Sequence, residues 1–227
     1  MTRRIAFFDV DETLLTEKSM LDFWRHWSAQ LARKGREPQA PLTTGADRET
    51  LNRAYFAHFA GVQRAVLAES ADRWYARYRR GRRAFLLDTL HCLHMHCSYG
   101  DEIALVTGSG ELLVQPVADD LGVHHVLATE QLTDATGRLT GEVSRPVIGD
   151  GKGEAVAALL QRLGVRAQDC YAYGDHSTDL AMLSLVGHPV VVGDDPVLTD
   201  HGVAHGWRFL KKIPGPRLAS AEVMRVS

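Results

Sequence analysis

Two aspartates, Asp9 and Asp11, stand at the end of a short apolar segment, Ile5–Phe8. Side chains two residues apart on an extended chain point to the same side, so both carboxylates can address one site. Burying two like charges so close together is unfavourable unless a cation or a shared proton offsets their repulsion. Mg²⁺ prefers oxygen ligands and commonly binds through one or two carboxylates together with substrate phosphate. Taken alone, however, the triplet is more typical of an Asx turn that closes a strand.

Thr107 and Lys152 could supply further groups for phosphoryl transfer. Thr107 follows an apolar run at residues 103–106 and precedes a helical pattern that begins at Glu111. A hydroxyl and free backbone N–H groups at such a turn can hold phosphate oxygens. Lys152 follows the glycine-rich residues 149–151 and opens a second helical stretch. An ammonium fixed there could neutralise charge on a nucleophile and on the transferring group.

Asp175 and Asp179 form a third candidate group, after an apolar run at residues 170–173. Each segment has a simpler interpretation when it is taken singly. Thr107 could cap a helix, Lys152 could be a solvated lysine, and the two aspartates could be a helix cap and its neighbour. All four segments nevertheless fall at the carboxyl ends of predicted strands, which is the edge where open α/β sheets collect their ligands.

The order of these segments resembles that of the haloacid-dehalogenase-like phosphohydrolases. Members of that family carry an Asp-x-Asp-x-Thr motif, a Thr or Ser, a Lys and a Gly-Asp-x-x-x-Asp motif. This chain matches them at residues 9–13, Thr107, Lys152 and residues 174–179. The resemblance covers nearly the whole chain and is closest to the phosphoserine-phosphatase-like branch, subfamily I type B. One departure is Glu12, which replaces the glycine most often found there.

The resemblance implies a role for each matching residue. Asp9 corresponds to the nucleophile that forms an aspartyl-phosphate. Asp11 corresponds to the general acid that protonates the leaving alcohol and then to the base that activates water. Thr107 and Gly108 would hold phosphate, and Lys152 would balance the charge of Asp9 and the phosphate. This division suits phosphoryl transfer, in which positioning and electrostatics dominate.

The resemblance also implies a magnesium site. Asp175 would bind Mg²⁺ beside Asp9 and the backbone carbonyl of Asp11, while Asp179 would orient Lys152 or the waters of the metal. The expected metal-binding set is therefore Asp9, Asp11, Asp175 and Asp179, and the expected cofactor is Mg²⁺.

The middle of the chain predicts a helical insertion. Residues 17–97 contain no convincing strand, and their apolar residues recur at helical spacing. We expect about four helices, the last near residues 83–97, with a breaker-rich loop at residues 34–46. The many aromatic residues of this segment are more typical of a packed core than of a ligand cage.

The flanking sequences alternate strand and helix, which predicts an α/β fold with a Rossmann-like, doubly wound parallel sheet. We therefore expect a core domain formed by residues 1–16 and 98–227 and an inserted α-helical cap domain at residues 17–97. Residues 131–143 predict an antiparallel hairpin that leaves the sheet. The tail after Pro214 is interpreted as a peripheral helix or a frayed end.

Lys18 is the candidate for substrate selection. Phosphoserine phosphatases, which the chain resembles, have a glutamate near the start of the first cap helix that meets the ammonium of the substrate. An ungapped count from Asp11 places Lys18 at that position. This reversal of charge argues against phosphoserine and suits a substrate with a second anionic or hydroxyl-rich part, such as a sugar phosphate, a polyol phosphate or a phosphorylated acid. The alternative is that Lys18 is simply solvated.

Residues 91–97 contain three histidines and two cysteines, which invites a zinc interpretation. No recognised finger spacing is present. On a helix His91, His94 and Met95 would share a face, which leaves two good ligands there. Structural or surface histidines are the favoured interpretation.

Composition limits the class of partner. The chain has 227 residues, with 26 Lys and Arg against 28 Asp and Glu and a formal net charge of −2, which gives no case for nucleic acid or an anionic membrane. Three sparse cysteines argue against a disulfide framework. No signal peptide or apolar run of membrane-spanning length is evident, so a cytoplasmic monomer or homodimer is expected.

These patterns favour a Mg²⁺-dependent phosphomonoesterase that hydrolyses a small phosphorylated metabolite through an aspartyl-phosphate. Two alternatives stay open. A phosphotransferase would use the same intermediate and deliver phosphate to another alcohol, and a non-catalytic binding module would use the scaffold without turnover.

Overall fold

The chain folds as strands and helices that alternate around a central sheet. The computed structural model describes residues 3–36, 40–41, 45–81 and 83–215. The strands are β1 (Ile5–Phe8), β2 (Glu102–Gly110), β3 (His125–Thr129), β4 (Gln131–Thr133), β5 (Leu139–Val143), β6 (Tyr171–Gly174), β7 (His188–Val192) and β8 (Arg208–Leu210). The helices are α1 (Ser19–Arg33), α2 (Arg48–Ala57), α3 (Arg64–Tyr78), α4 (Leu87–Ser98), α5 (Glu111–Leu121), α6 (Asp150–Leu163), α7 (Leu180–Leu183) and α8 (Pro196–Ala204).

Six strands of the described residues form one parallel sheet in the order β3-β2-β1-β6-β7-β8. β1 lies between β2 and β6, so the chain proceeds outward on one side through β2 and β3 and on the other through β6, β7 and β8. The carboxyl end of β1 is therefore the switch point where open α/β sheets bind ligands.

Both faces of the sheet are covered because side chains of the strands alternate. Ile5 and Phe7 belong to an apolar cluster that also contains buried residues of α6 and α7. Ala6 and Phe8 belong to a second cluster, with residues of α1, α3 and α5. This arrangement confirms the prediction of a doubly wound α/β fold. None of the helices in the described residues combines the length and apolar composition needed to span a membrane.

Helices α1 to α4 lie between β1 and β2, within the predicted insertion. Their aromatic side chains pack together: Phe23, Phe59 and Trp74 are at most 2% exposed, and Phe23 contacts both of the other two rings. The prediction of a packed aromatic core is confirmed. α4 packs against β2, so the chain has returned to the sheet before residue 98. The domain boundaries themselves stay a prediction, and the predicted loop at residues 34–46 lies partly outside the described residues.

Strands β4 and β5 form the predicted antiparallel hairpin, with Gln131 opposite Val143. The hairpin also joins the insertion to the core. The Gly61 N–H donates to the Leu139 carbonyl oxygen, and the Leu139 N–H donates to the Val62 carbonyl oxygen. These two bonds fix the chain after α2 against the hairpin.

The structure differs from the sequence prediction at the end of β2. A turn was expected after residue 106, yet the strand continues to Gly110 with a shift of register between Thr107 and Gly110. Gly108 and Gly110 permit this path because their lack of a side chain lets Ile148 and Phe56 pack closely against the strand. A Cβ at Gly108 would lie 2.6 Å from Ile148 Cγ1, and one at Gly110 would lie 2.9 Å from Phe56 Cε1. The phosphate-binding candidate is therefore an extended segment.

The exit and return of the insertion lie side by side. The Thr16 N–H donates to the Ala84 carbonyl oxygen, and the Leu86 N–H donates to the Leu14 carbonyl oxygen. Here the chain crosses between the sheet and the helical segment. The tail predicted as a helix or frayed end, residues 216–227, lies outside the described residues.

Candidate active site

One cavity of about 270 Å³ lies over the carboxyl ends of β1, β2 and β6. Parallel strands end at the same edge of a sheet, which explains why motifs distant in sequence meet there. The cavity is lined by every residue that the sequence marked for chemistry or binding, namely Asp9, Asp11, Lys18, Thr107, Gly108, Lys152, Asp175 and Asp179.

Lys152 lies at the centre of this arrangement. Its side chain is buried, and Nζ donates to Asp9 Oδ1 and to Asp179 Oδ1, both at 2.5 Å. The interpretation of Lys152 as a solvated lysine is therefore wrong. Burial alone would lower the pKa of Lys152, but the charges of Asp179 and Asp9 outweigh it and raise that pKa above its usual range. The lysine remains an ammonium.

The glycines around Lys152 allow it to approach the sheet. Gly149 has a φ of 55°, which favours glycine. A Cβ at Gly151 would lie 2.4 Å from the Pro146 carbonyl oxygen. Gly151 thus lets the first turn of α6 pack closely against the backbone at Pro146.

Asp9, Asp175 and Asp179 form a carboxylate cluster in which one oxygen of each lies within 4.8 Å of the others. Burial raises the pKa of Asp9 well above its usual range, Lys152 opposes this shift, and the neighbouring carboxylates add to it. Hard divalent cations prefer such closely placed oxygen ligands. This group can therefore hold one cation of that kind.

The Asp11 side chain lies outside that cluster. Its Oδ1 accepts a hydrogen bond from the Ser19 N–H at 2.8 Å, and its Oδ2 accepts one from Ser109 Oγ at 3.0 Å. Ser19 is the first residue of α1, so the helix dipole also favours the carboxylate. Burial nevertheless dominates and raises the pKa of Asp11, against the hydrogen bonds from Ser19 and Ser109. This environment shifts Asp11 towards its protonated form, and Ser19 and Ser109 hold it in one orientation.

Asp179 organises the loop after β6. Its Oδ2 accepts hydrogen bonds from the Asp175 N–H at 2.9 Å and from the His176 N–H at 3.1 Å. A Cβ at Gly174 would lie 2.6 Å from the Asp179 Cβ, so the glycine of the Gly-Asp motif is required for packing. Asp179 is thus both a cap and a partner of Lys152.

The Asp175 carboxylate is held from two sides. Oδ1 accepts a hydrogen bond from Thr13 Oγ1 at 3.2 Å, and Oδ2 accepts one from Lys212 Nζ at 2.8 Å. Burial raises the pKa of Asp175, whereas the hydrogen bond from Lys212 lowers it. Lys212 was not predicted from the sequence, because it belongs to no motif and follows the last strand.

Thr107 does not cap the helix that follows it. Its hydroxyl is buried and accepts a hydrogen bond from the Ser109 N–H at 3.1 Å, while the N-cap of α5 is Gly110. The Gly108 carbonyl oxygen accepts a hydrogen bond from Asn52 Nδ2 at 2.7 Å. The insertion therefore contacts the segment expected to bind phosphate.

Glu12, the departure from the family pattern, has a φ of 60°. A non-glycine residue in the left-handed region costs about 1–2 kcal/mol, which explains why glycine is usual at this position. The Glu12 carboxylate lies 3.6 Å from Lys18 Nζ, and both side chains are about half exposed. Lys18 thus lines the cavity and also forms a surface ion pair.

Other lining residues were not singled out from the sequence. Arg48 and Asn52 project from α2 at a spacing of four residues, which places them on one face of that helix. His176 follows Asp175 on the opposite wall, and burial lowers the pKa of His176. The sequence predicts helices in this region from the spacing of apolar residues. That spacing does not show which face of α2 contacts the site.

The histidine and cysteine cluster at residues 91–97 is separate from this cavity. His96 is buried, with Nδ1 2.7 Å from Asp101 Oδ2 and Nε2 2.9 Å from Tyr173 Oη. Within the described part of the chain, the one group of three potential metal ligands is that of Asp9, Asp175 and Asp179. His96 is therefore a structural histidine, as predicted.

Known proteins resemble this chain over most of its length. A probable phosphatase from Mycobacterium tuberculosis (strain ATCC 25618 / H37Rv) is 31% identical over 96% of this chain and 82% of that protein. A histidinol-phosphatase from Neisseria meningitidis serogroup C (strain 8013) is 27% identical over 92% of this chain and 98% of that protein. The crystal structure of a protein of unknown function from Bordetella pertussis Tohama I superposes with a TM-score of 0.73 at 27% identity, over 92% of this chain and 99% of that one.

The family model for haloacid dehalogenase-like hydrolases matches residues 6–184. This range runs from the second residue of β1 to the residue that follows α7. The match includes the carboxylate cluster, Lys152 and the segment around Thr107. The chain belongs to the haloacid dehalogenase-like hydrolases.

Proposed function

We propose that this hydrolase is a Mg²⁺-dependent phosphomonoesterase that acts through a phosphorylated Asp9. The observation that carries the proposal is the position of Lys152, which bridges Asp9 and Asp179 at 2.5 Å in the buried floor of the cavity. A nucleophilic carboxylate needs its charge balanced when a phosphate dianion approaches, and a fixed ammonium does this without reorganisation. The phosphatase name of the Mycobacterium relative supports the same reaction.

Asp9 is the proposed nucleophile. Lys152 occupies Oδ1, so Oδ2 is the oxygen that would attack phosphorus. A bond forms from Asp9 Oδ2 to phosphorus while the bond from phosphorus to the ester oxygen breaks. The leaving alcohol then departs and an acyl phosphate remains on Asp9.

Asp11 is the proposed general acid and base. Its raised pKa keeps a proton available for the ester oxygen in the first step. The resulting carboxylate then accepts a proton from the water that attacks the acyl phosphate, and inorganic phosphate and free Asp9 are released. Asp11 is turned towards Ser19 and Ser109, which keeps it apart from the cluster around Asp9.

The carboxylate cluster fits a magnesium ion. We propose that Asp9 and Asp175 hold Mg²⁺ together with the Asp11 backbone carbonyl, and that Asp179 acts mainly by orienting Lys152. Asp179 Oδ1 accepts a hydrogen bond from Lys152, and Oδ2 accepts two from backbone N–H groups of its own loop, which supports the orienting role. The ion would supply positive charge that neutralises the phosphate oxygens. Thr107, Gly108 and Lys152 are the proposed phosphate-binding groups.

The substrate is proposed to be a small phosphorylated metabolite other than phosphoserine. Lys18 and Arg48 line the cavity with positive charge, and the apolar Met20 and Leu51 line it as well. Such a wall suits an organic group that carries a second anionic or hydroxyl-rich part. The name of the Neisseria relative makes histidinol phosphate a further compound to test. The net charge of −2 gives no case for a nucleic-acid or anionic-membrane partner. We propose a cytoplasmic monomer or homodimer that binds a small molecule.

The proposal is tested by measuring inorganic phosphate released from a panel of monoesters. The panel contains phosphoserine, histidinol phosphate, glycerol phosphate, sugar phosphates and phosphoglycerate, each with Mg²⁺ and with excess chelator. We expect release that requires Mg²⁺ and is lost in Asp9→Asn, with phosphoserine among the poor substrates. Turnover of the same ester that persists in chelator or in Asp9→Asn would contradict the mechanism. Phosphorylated acceptor alcohols among the products would instead indicate a phosphotransferase.

A further inference from the structure

Lys212 contacts an aspartate of the carboxylate cluster from outside the four family motifs. It follows β8, and its ammonium donates a hydrogen bond to Asp175 Oδ2 at 2.8 Å. The Lys212 side chain is 33% exposed, whereas that of Asp175 is 9% exposed. The contact therefore places a partly solvated cation directly on a buried carboxylate of the cluster.

The path of the Lys212 side chain is built into the fold. Gly193, which follows β7, has a φ of +90°, and a Cβ on it would lie 2.7 Å from Lys212 Cε and 3.1 Å from Cδ. The Gly193 N–H also donates to the Leu210 carbonyl oxygen at 2.8 Å. A glycine is thus present where the aliphatic stem of the lysine crosses the neighbouring chain.

The backbone around Lys212 is fixed as well. We call residues 211–215 the strap, because they lie across the chain that returns from the insertion. The Leu87 N–H donates to the Ile213 carbonyl oxygen at 2.9 Å, and Pro214 forms a bridge with Leu86. Lys212 is consequently held in place from the Gly193 side and from the Leu87 side.

The position of Lys212 has an electrostatic consequence for a cation at the carboxylate cluster. Asp175 Oδ2 is engaged by Lys212 and Oδ1 by Thr13. A divalent ion bound by Asp175 would share its carboxylate with an ammonium, and two cations a few ångströms apart repel each other. The same ammonium stabilises the Asp175 carboxylate when no divalent ion is bound.

We propose that Lys212 is a positioning residue that holds the Asp175 carboxylate by its Oδ2 atom and limits the affinity of the cluster for Mg²⁺. This inference rests on the proposed function, since it takes Asp175 as a ligand of Mg²⁺. It assigns to Lys212 a role that the family motifs do not contain: the lysine makes magnesium binding weaker and more readily reversible than the carboxylates alone would make it.

The test is the dissociation constant for Mg²⁺ of the full chain, measured by titration calorimetry without substrate or phosphate. Lys212→Met removes the ammonium and keeps a stem of similar shape. Lys212→Arg keeps the charge. Lys211→Met is the matched control, because it removes the neighbouring exposed lysine of the strap. Asp175→Asn verifies that the titrated ion uses this carboxylate, and circular dichroism and melting temperature verify that each variant is folded.

We expect Lys212→Met to bind Mg²⁺ about tenfold more tightly than the wild type at low ionic strength, with a smaller gain in high salt. Lys212→Arg and Lys211→Met should bind as the wild type does, and Asp175→Asn should bind far more weakly. Equal or weaker binding by Lys212→Met would overturn the inference while leaving the magnesium site intact. If Mg²⁺ bound to none of these proteins, both the inference and the magnesium part of the proposed function would be overturned.

Discussion

Asn52 of α2 donates a hydrogen bond from Nδ2 to the Gly108 carbonyl oxygen at 2.7 Å. A carbonyl oxygen only accepts hydrogen bonds, so this contact fixes the orientation of the amide. The Asn52 side chain is buried and lies between the helical insertion and the segment after Thr107. This hydrogen bond therefore joins two parts of the cavity wall.

Replacing Asn52 should loosen this junction. In Asn52→Ala the Gly108 carbonyl loses its donor, and an unsatisfied buried group costs about 1–3 kcal/mol. We expect a lower melting temperature and a loss of about tenfold in kcat/KM, measured with whichever ester of the panel is turned over best. Arg53→Ala is the control, because Arg53 is its neighbour on α2 and pairs with Glu49 at the surface. Equal kinetics for Asn52→Ala and the control would show that the junction does not position the phosphate segment.

The strain at Glu12 predicts a stabilising substitution. Glu12→Gly should raise the free energy of unfolding by about 1 kcal/mol, since glycine adopts a φ of 60° without a Cβ clash and the gain exceeds the entropy that glycine loses on folding. Glu12→Ala removes the same contact with Lys18 but keeps the strain, so it should not stabilise. Urea unfolding of both variants provides the measurement. A stabilised Glu12→Ala would attribute the effect to the side chain and contradict the role of the backbone.

Ser109 should tune the proton transfer of Asp11. The hydrogen bond from Ser109 Oγ lowers the pKa of Asp11 and partly opposes the effect of burial. Ser109→Ala should therefore raise that pKa further and keep Asp11 protonated to higher pH. Because the first step needs the protonated form, the alkaline limb of kcat against pH should move to higher pH.

The control for this prediction is Ser98→Ala, which removes a surface hydroxyl that bonds to the His94 carbonyl oxygen. Its pH profile should match the wild type. A shift of the Ser109→Ala limb to lower pH would contradict the assignment of Asp11 as the general acid.

The buried carboxylates predict an unusual dependence of stability on pH in the metal-free protein. The pKa values of Asp9, Asp11 and Asp175 are all raised, in each case mainly by burial. The folded state therefore binds more protons than the unfolded state at pH values above about 3.8, and the free energy of unfolding should fall as pH rises through the folded-state pKa values. In Asp9→Asn the free energy of unfolding should fall less steeply with rising pH, because one of the titrating groups is removed.

The partly exposed carboxylate of Glu102 supplies the contrast. The hydrogen bond from Arg3 lowers the pKa of Glu102 to about 2, so its stabilising contribution is lost only as pH falls from about 4.5 to about 2. Glu102→Gln should change the free energy of unfolding between about pH 2 and about pH 4.5, and it should leave the dependence of that free energy on pH unchanged near neutral pH. Urea unfolding at a series of pH values in chelator tests both variants, and a dependence of the free energy of unfolding on pH that is the same in the wild type and in Asp9→Asn would contradict the raised pKa of Asp9.

The sequence was sufficient to predict the sheet and the groups that meet at its edge. Asp9, Thr107 and Asp175 each follow an apolar run, and parallel strands necessarily present their carboxyl ends together. Lys152 was a candidate because it follows a glycine-rich loop and opens a helix, and the structure buries it between Asp9 and Asp179. For these residues, local pattern and strand direction contain the spatial information.

The remaining features depend on long-range packing that no local pattern encodes. Lys212 meets Asp175 across 37 residues, and Asn52 meets Gly108 across 56 residues. Neither pair has a characteristic spacing, because each depends on where a peripheral segment crosses the edge of the sheet. The end of β2 was predicted too early, since glycines that usually mark a turn here permit a close-packed extended chain. The roles of the site residues stay predictions until they are measured.

The most direct test of the account is to identify the residue that carries phosphate during turnover. The enzyme is mixed with an excess of a turned-over ester, quenched within one turnover and reduced with borohydride, which converts an aspartyl-phosphate to homoserine, and peptide mass spectrometry locates the change. We predict homoserine at position 9 in the wild type and none in Asp9→Asn. Release of inorganic phosphate at an undiminished rate by Asp9→Asn, or a phosphate adduct on any other residue, would contradict the central claim.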